Sequence, residues 1–265
     1  MVNRIDQKFK DLRRKKAKAF IAFITAGDPN LKTTEQLVLA FERAGVDIIE
    51  LGVPFSDPLA DGPTIQASYQ RALKKHVCLD DILKLVTRIR QKSHIPIALM
   101  SSYNPVFHYG EERFIAKAMA AGIDGIIIPD LPPEEAHILV RSARKNNVAT
   151  IFLLAPTTTP QRMRHIVNAV TGFVYYVSLT GVTGARQKLP DTIAHQVKLA
   201  KKLTRKPICV GFGISTPAQA KMVVKVADGV IVGSAIVNAI AQNKGKRQLV
   251  ANVARFVQKL SRTLS

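Results

Sequence analysis

The chain has 265 residues, 47% of them hydrophobic, two cysteines, six scattered histidines and a net charge of +20. That is material for one large domain or two small ones, and a single domain over residues 1–265 is the expectation. No apolar run is long enough to span a membrane, the mixed-charge N-terminus lacks the hydrophobic core of a secretory signal, and Cys78 and Cys209 show no CxxC or metal-ligand spacing. The expectation is a cytoplasmic protein with reduced thiols and no metal site.

The charge is uneven: residues 1–135 carry +2, whereas residues 136–265, whose acids are Asp191 and Asp228 alone, carry +18. Such a field suits an anion, either a phosphorylated metabolite or nucleic acid, and equally a basic solvated surface. No aromatic residues interleave with the cations as a base-stacking platform requires.

In chain order, residues 3–18 have a helical pattern with Ile5, Phe9 and Leu12 on one face, and 19–25 (AFIAFIT) form a strand. A helix from Thr33 to Ala44 closes on Gly45, and Asp47 opens the second strand. Helices at 64–75 and 79–92 precede a third strand at 96–101, and a helix at 111–121 precedes a fourth at 124–130. Pro133 marks the start of a helix to Asn146, followed by a strand at 148–155, a helix at 160–170 and a strand at 172–179. After a loop at 180–190 come helix 191–203, strand 207–213, helix 216–226, strand 229–233 and helical pattern to the C-terminus.

Eight short apolar strands, each followed by helix and without linkers, predict a (β/α)8 TIM barrel with an extra N-terminal helix and a short helix after strand eight. A doubly wound sheet fits less well, because no GxGxxG follows the first strand. Barrel chemistry sits in the loops after the strands. In the second strand, Ile48 and Glu50 share one face and Ile49 and Leu51 the other. Glu50 therefore stands where an apolar residue normally goes, and a carboxylate there needs a partner or a chemical role. The loop that follows, GVPFSDPLADGP, is stiffened by prolines and brings Asp57 and Asp61 to the same strand end.

Three later loops are rich in glycine: Thr180–Gly184, Gly211–Ser215, and Gly233-Ser234-Ala235, the last opening a helix. Glycines admit an anion to backbone amides, and a helix N-terminus adds free N–H groups, so these loops predict a phosphate site. None of the strand runs contains lysine or histidine, which argues against a Schiff-base aldolase and a metal-dependent one. What remains is a carboxylate pair beside a phosphate site, with Phe23, Ile65, Met100, Ile127, Tyr175, Phe212 and Ile231 as candidate apolar walls. That arrangement suits acid/base bond-making or breaking on a substrate with one flat apolar end and one phosphate end.

The stretch ELGVPFSDPLADGPTIQ, with FITAGDP before it and LTGVTG, GFGIS and GSAIV after it, resembles the tryptophan synthase alpha chain family over nearly the whole chain. The resemblance implies a carbon–carbon lyase that reversibly cleaves indole-3-glycerol phosphate to indole and D-glyceraldehyde 3-phosphate. It implies Glu50 as the proton-transfer residue and Asp61 as the carboxylate that hydrogen-bonds the indole N–H. Glu50, at a less polar strand end, is expected to have a raised pKa, and Asp61, in a loop, to stay ionised.

The same resemblance implies phosphate binding by Gly184, Gly213, Gly233 and Ser234, and a pocket lined by Phe23, Tyr175, Thr183 and Phe212. It further implies a beta chain carrying pyridoxal phosphate, a two-plus-two complex, indole passed between the chains, and no cofactor in this one. The docking surface would hold Pro54, Asp57, Pro58, Asn104, Phe107, Asp130 and Pro132. Ser102 departs from the family, which often has tyrosine there; Tyr103 is a candidate to fill that space. A self-sufficient lyase releasing free indole, a non-catalytic phosphate-binding subunit and a nucleic-acid binder are the alternatives.

Overall fold

A computed structural model describes residues 2–58, 61–177, 191–211 and 213–264. Helix α1 (Arg4–Arg14) leads into strand β1 (Ala19–Thr25), and from there each strand but β5 is followed by one or two helices. They are α2 (Leu31–Arg43), β2 (Ile48–Gly52), α3 (Pro63–Leu73), α4 (Leu79–Arg90), β3 (Ile97–Met100), α5 (Tyr103–Tyr109), α6 (Glu111–Ala121) and β4 (Gly125–Ile127). Next come α7 (His137–Lys145), β5 (Ala149–Ile151), β6 (Leu153–Leu154), α8 (Pro160–Ala169), β7 (Val174–Val177) and α9 (Asp191–Leu203). The chain ends with β8 (Ile208–Gly211), α10 (Pro217–Val224), β9 (Gly229–Val232), α11 (Ser234–Asn243) and α12 (Leu249–Ser261).

All strand pairs are parallel, in the order β5-β4-β3-β2-β1-β9-β8-β7-β6. The two ends of that order, β5 and β6, are halves of one stretch parted at Phe152. The first half pairs with β4, the second with β7, and Tyr175 N donates to Phe152 O across the break at 3.2 Å. The sheet is therefore a nearly closed (β/α)8 barrel, and the break falls where one stretch changes partners. No helix among the described residues is long and apolar enough to cross a membrane.

Alternation along each strand sorts side chains into two cores. Phe20, Ala22, Ile24, Ile49 and Leu51 face the surrounding helices. Ile21, Ile48, Ala98, Ile127, Ile151, Phe173, Cys209 and Ile231 fill the barrel. The amphipathic α1 plugs the N-terminal mouth: Ile5 and Phe9 join the barrel cluster, and Phe9 packs on Phe173 with ring centroids 5.8 Å apart. Gly125 makes that plug possible, since a Cβ there would lie 2.8 Å from Ile5 Cδ1. Asp124, 3% exposed, ties the same end together by accepting from Arg4 Nη1, Arg90 Nη2 and Ile97 N, each at 2.8 Å.

Two expectations are corrected. The helix expected at Pro133 begins at His137, because Pro132 and Pro133 lack N–H donors and are held in a turn by Glu135 N donating to Pro132 O at 3.0 Å. Helix α5 was not expected at all. Its start is fixed from a distance, by the Asp130 carboxylate accepting from Tyr103 N at 2.9 and 3.1 Å, while Ser102 makes no side-chain cap.

Candidate active site

β2 delivers Glu50 inward at the C-terminal mouth, in register with Phe23 of β1 and Ala98 of β3. Glu50 is 1% exposed, and neither carboxyl oxygen has a hydrogen-bond partner among the described residues. Burial, and secondarily the nearby Asp61 charge, pushes its pKa up to about 8. At neutral pH it is mainly a neutral acid with a free proton to give.

Asp61 lies on the loop after β2, half-buried just before α3. Burial and then the Asp130 charge push its pKa up to about 6, and a hydrogen bond from Tyr69 pulls the other way. The loop position thus protects its ionisation less than its sequence context suggests, though at pH 7 it is still mostly charged. Two carboxyl groups on adjoining elements are set apart in pKa, one an acid and the other an anion, by depth of burial.

Above them, a cavity of about 440 Å³ is lined by Phe55, Asp57, Asp61, Tyr69, Met100, Ser101, Ser102, Pro129 and Asp130. Phe23, Ile65, Tyr69 and Val237 form one buried cluster, with Met100 packed against it. Tyr175 points into the barrel with its hydroxyl within the fields of Glu50 and Asp61. Of the apolar residues singled out in the sequence, Phe23, Ile65, Met100 and Tyr175 thus gather around the carboxyls. Ile127 and Ile231 lie in the barrel-filling cluster with Ile48. Phe212 and Thr183 lie outside the described residues.

For the phosphate loops, Gly233 caps α11 and faces Phe23: a Cβ there would stand 3.5 Å from Phe23 Cβ. Ser234 is the exposed first residue of α11, whose first-turn amides face the mouth side of β9. Gly213 is exposed with φ +55°, a left-handed conformation that glycine takes without strain. Gly184 lies outside the described residues.

On the same barrel face, Asp57, Asn104, Phe107 and Asp130 are exposed, Phe107 at 62%, while Pro58 and Pro132 are half-buried. Pro54 is buried and so does not belong to that surface. Nor does Tyr103 fill the space beside Ser102: it sits on α5 with its ring 5.8 Å from that of Phe107, outside the cavity. Tyr69, two helices earlier on α3, occupies the cavity wall, and sequence reasoning missed it. Its one signal was a spacing of four from Ile65, which puts both on one helix face. Among the described residues no cluster of histidine, cysteine and carboxylates is suited to a metal ion.

A family model described as tryptophan synthase alpha chain matches residues 9–265. A relative described as a tryptophan synthase alpha chain, from Geotalea daltonii, is 51% identical over 92% of this chain and 93% of its own length. One from Thermoanaerobacter sp. is 49% identical over 99% of this chain and all of its own. Among solved structures, the tryptophan synthase alpha subunit of Legionella pneumophila superposes with a TM-score of 0.92 at 36% identity, covering 100% of this chain and 99% of that one.

Proposed function

The chain belongs to the tryptophan synthase alpha chain family, and on that premise we propose how its residues carry the alpha reaction, the reversible retro-aldol cleavage of indole-3-glycerol phosphate to indole and D-glyceraldehyde 3-phosphate. Glu50 gives its proton to indole C3, which breaks the aromaticity of the pyrrole ring and leaves positive charge at nitrogen. Asp61 accepts a hydrogen bond from the indole N–H and stabilises that charge. The Glu50 carboxylate then takes the proton of the glyceryl hydroxyl next to the bond being broken. As that hydroxyl becomes the aldehyde, the C–C bond breaks, its electrons restore the indole, and Glu50 is again protonated.

The observation that carries this reading is the Glu50 carboxyl: fully buried, without a hydrogen-bond partner among the described residues and with a pKa of about 8, beside a second carboxyl at about 6. Phe23, Ile65, Met100 and Tyr175 form the walls for the flat ring, with Ile127 and Ile231 beneath them and Phe212 and Thr183 as further wall residues. Gly213, Gly233 and Ser234, with Gly184, bind the phosphate, supported by the cap of α11 at the mouth.

A beta-chain partner follows from the family, and a two-plus-two complex through which indole passes is part of the proposal. The exposed Phe107, beside Asn104 and Asp130 on the mouth face, is the surface that supports it. In this scheme the pyridoxal phosphate belongs to the beta chain, this chain works without a cofactor as one domain, and both act in the cytoplasm.

The test is indole release from indole-3-glycerol phosphate by the purified chain, with and without a beta chain, for wild type, Glu50→Gln and Asp61→Asn. Slow release that rises sharply with the beta chain and is abolished by Glu50→Gln is the expected result. Fast release without any beta chain would mean a self-sufficient lyase. Undiminished release by Glu50→Gln would remove Glu50 from the mechanism.

A further inference from the structure

Asp61 sits on a loop with no strand or helix of its own, yet the chemistry asks its carboxylate to meet one N–H in one direction. Helix α3 is what can hold it there. The helix is fastened to the barrel at two points, its middle and its C-terminal end. Arg71 makes a two-pronged pair with Asp28, Nε to Oδ1 at 2.8 Å and Nη2 to Oδ2 at 2.7 Å, and Asp28 is 2% exposed. Ser68 Oγ gives its proton to Ile65 O at 2.7 Å, so in the 2.6 Å contact between the Thr25 and Ser68 hydroxyls Thr25 is the donor. Those bonds lock α3 against β1.

From this fixed helix two side chains reach back to Asp61. Gln66 Nε2 donates to the Asp61 main-chain oxygen at 2.8 Å. The Tyr69 hydroxyl lies over the end of β2, 3.3 Å from where a Cβ on Gly52 would stand, and Tyr69 and Asp61 line the same cavity, close enough for the hydroxyl to favour the charged carboxylate. Tyr69 is 3% exposed, and its ring is clamped among Phe23, Ile65, Val237 and Met100, so the hydroxyl has little freedom to point elsewhere. On the other side of Asp61, Asp130 is already engaged with Tyr103 N and offers only repulsion.

We infer that Tyr69 is a positioning residue for the alpha reaction: its hydroxyl aims the Asp61 carboxylate at the indole nitrogen, with Gln66 tethering the main chain beneath. The inference deepens the role given to Asp61 above and rests on it. A hydrogen bond to a charged acceptor stabilises the charged form, so losing it favours protonation of Asp61. Tyr69 touches no reacting atom in this account; it acts through Asp61.

The experiment is Tyr69→Phe, which keeps the ring and removes only the hydroxyl. The low-pH limb of kcat/KM for indole release is expected to move up by about one pH unit, with the high-pH limb in place. The resulting loss is roughly fivefold at pH 6 and nearly absent by pH 8. Carboxyl carbon-13 NMR of labelled protein should show the Asp61 titration midpoint moving the same way. Gln66→Leu should raise KM while leaving both limbs where they are. An unmoved limb and an unmoved carbon-13 midpoint in Tyr69→Phe would overturn the inference. If wild type had no low-pH limb and Asp61→Asn stayed active, the role of Asp61 itself would fail. The carbon-13 midpoint would still decide whether Tyr69 governs its ionisation.

Discussion

Glu50→Gln should abolish indole release and at the same time make the protein more stable as pH rises. In the unfolded chain Glu50 ionises at the ordinary glutamate value of 4.5, and in the folded barrel burial and the Asp61 charge raise it to about 8. Between those values the folded state holds a proton that the unfolded state has released. The wild-type contribution is therefore fully present below about 4.5 and is lost as pH rises towards 8. At 1.36 kcal/mol per unit, this disadvantage grows to about 3 kcal/mol at pH 7, from under about 1 kcal/mol at pH 5.

Glutamine cannot ionise, so the disadvantage disappears in the variant. Its buried amide brings a desolvation cost of its own, about 1–3 kcal/mol, but that cost does not change with pH. The decisive quantity is thus the change in the stability difference between pH 5 and pH 7, about 2–3 kcal/mol in favour of the variant. Urea unfolding of both proteins at pH 5, 6 and 7 measures it, since groups common to both cancel. Parallel pH dependences would mean that Glu50 is ionised in the folded state, and the acid role given to it would be refuted.

For wild type, kcat/KM should rise as pH climbs through about 6, where Asp61 ionises, and fall beyond about 8, where Glu50 loses its proton. Initial rates from pH 5 to 9.5 check this, and a flat profile would contradict the assignment. Gly52→Ala would put a Cβ 2.6 Å from Phe23 Cζ and 2.8 Å from Cε2, so the ring wall must shift. A KM increase of roughly tenfold, with about 1–3 kcal/mol lost in urea unfolding, is the expected result. Asp124→Ala, at the closed end of the barrel, removes the carboxylate paired with the Arg90 guanidinium, whose pKa burial lowers to about 10 and which keeps the main-chain oxygens of Ser93, Ile95 and Gly122 as acceptors. It should cost about 3–5 kcal/mol in denaturant unfolding while leaving kcat/KM of the folded protein near wild type.

The inward aim of Glu50 was legible in the sequence because strand alternation is set by covalent geometry: with Ile48 inside, Glu50 must be inside as well. The repeat of strand, loop and helix is likewise local, and with it came the placing of the glycine and carboxylate loops at one mouth. What the linear order withheld depends on how separate elements dock. Tyr69 meets Asp61 only because Arg71–Asp28 and Ser68–Thr25 seat α3 on β1. Helix α5 starts where Asp130, on another strand's loop, reaches Tyr103 N. The value of about 6 for Asp61 comes from burial and a neighbouring carboxylate, not from its loop. The parting of β5 and β6 at Phe152 reflects the exchange of one neighbouring strand for another as the ring closes. Local periodicity determines which way a side chain points; which groups it meets there is decided by contacts between elements distant in the chain, and those exist only in the folded barrel.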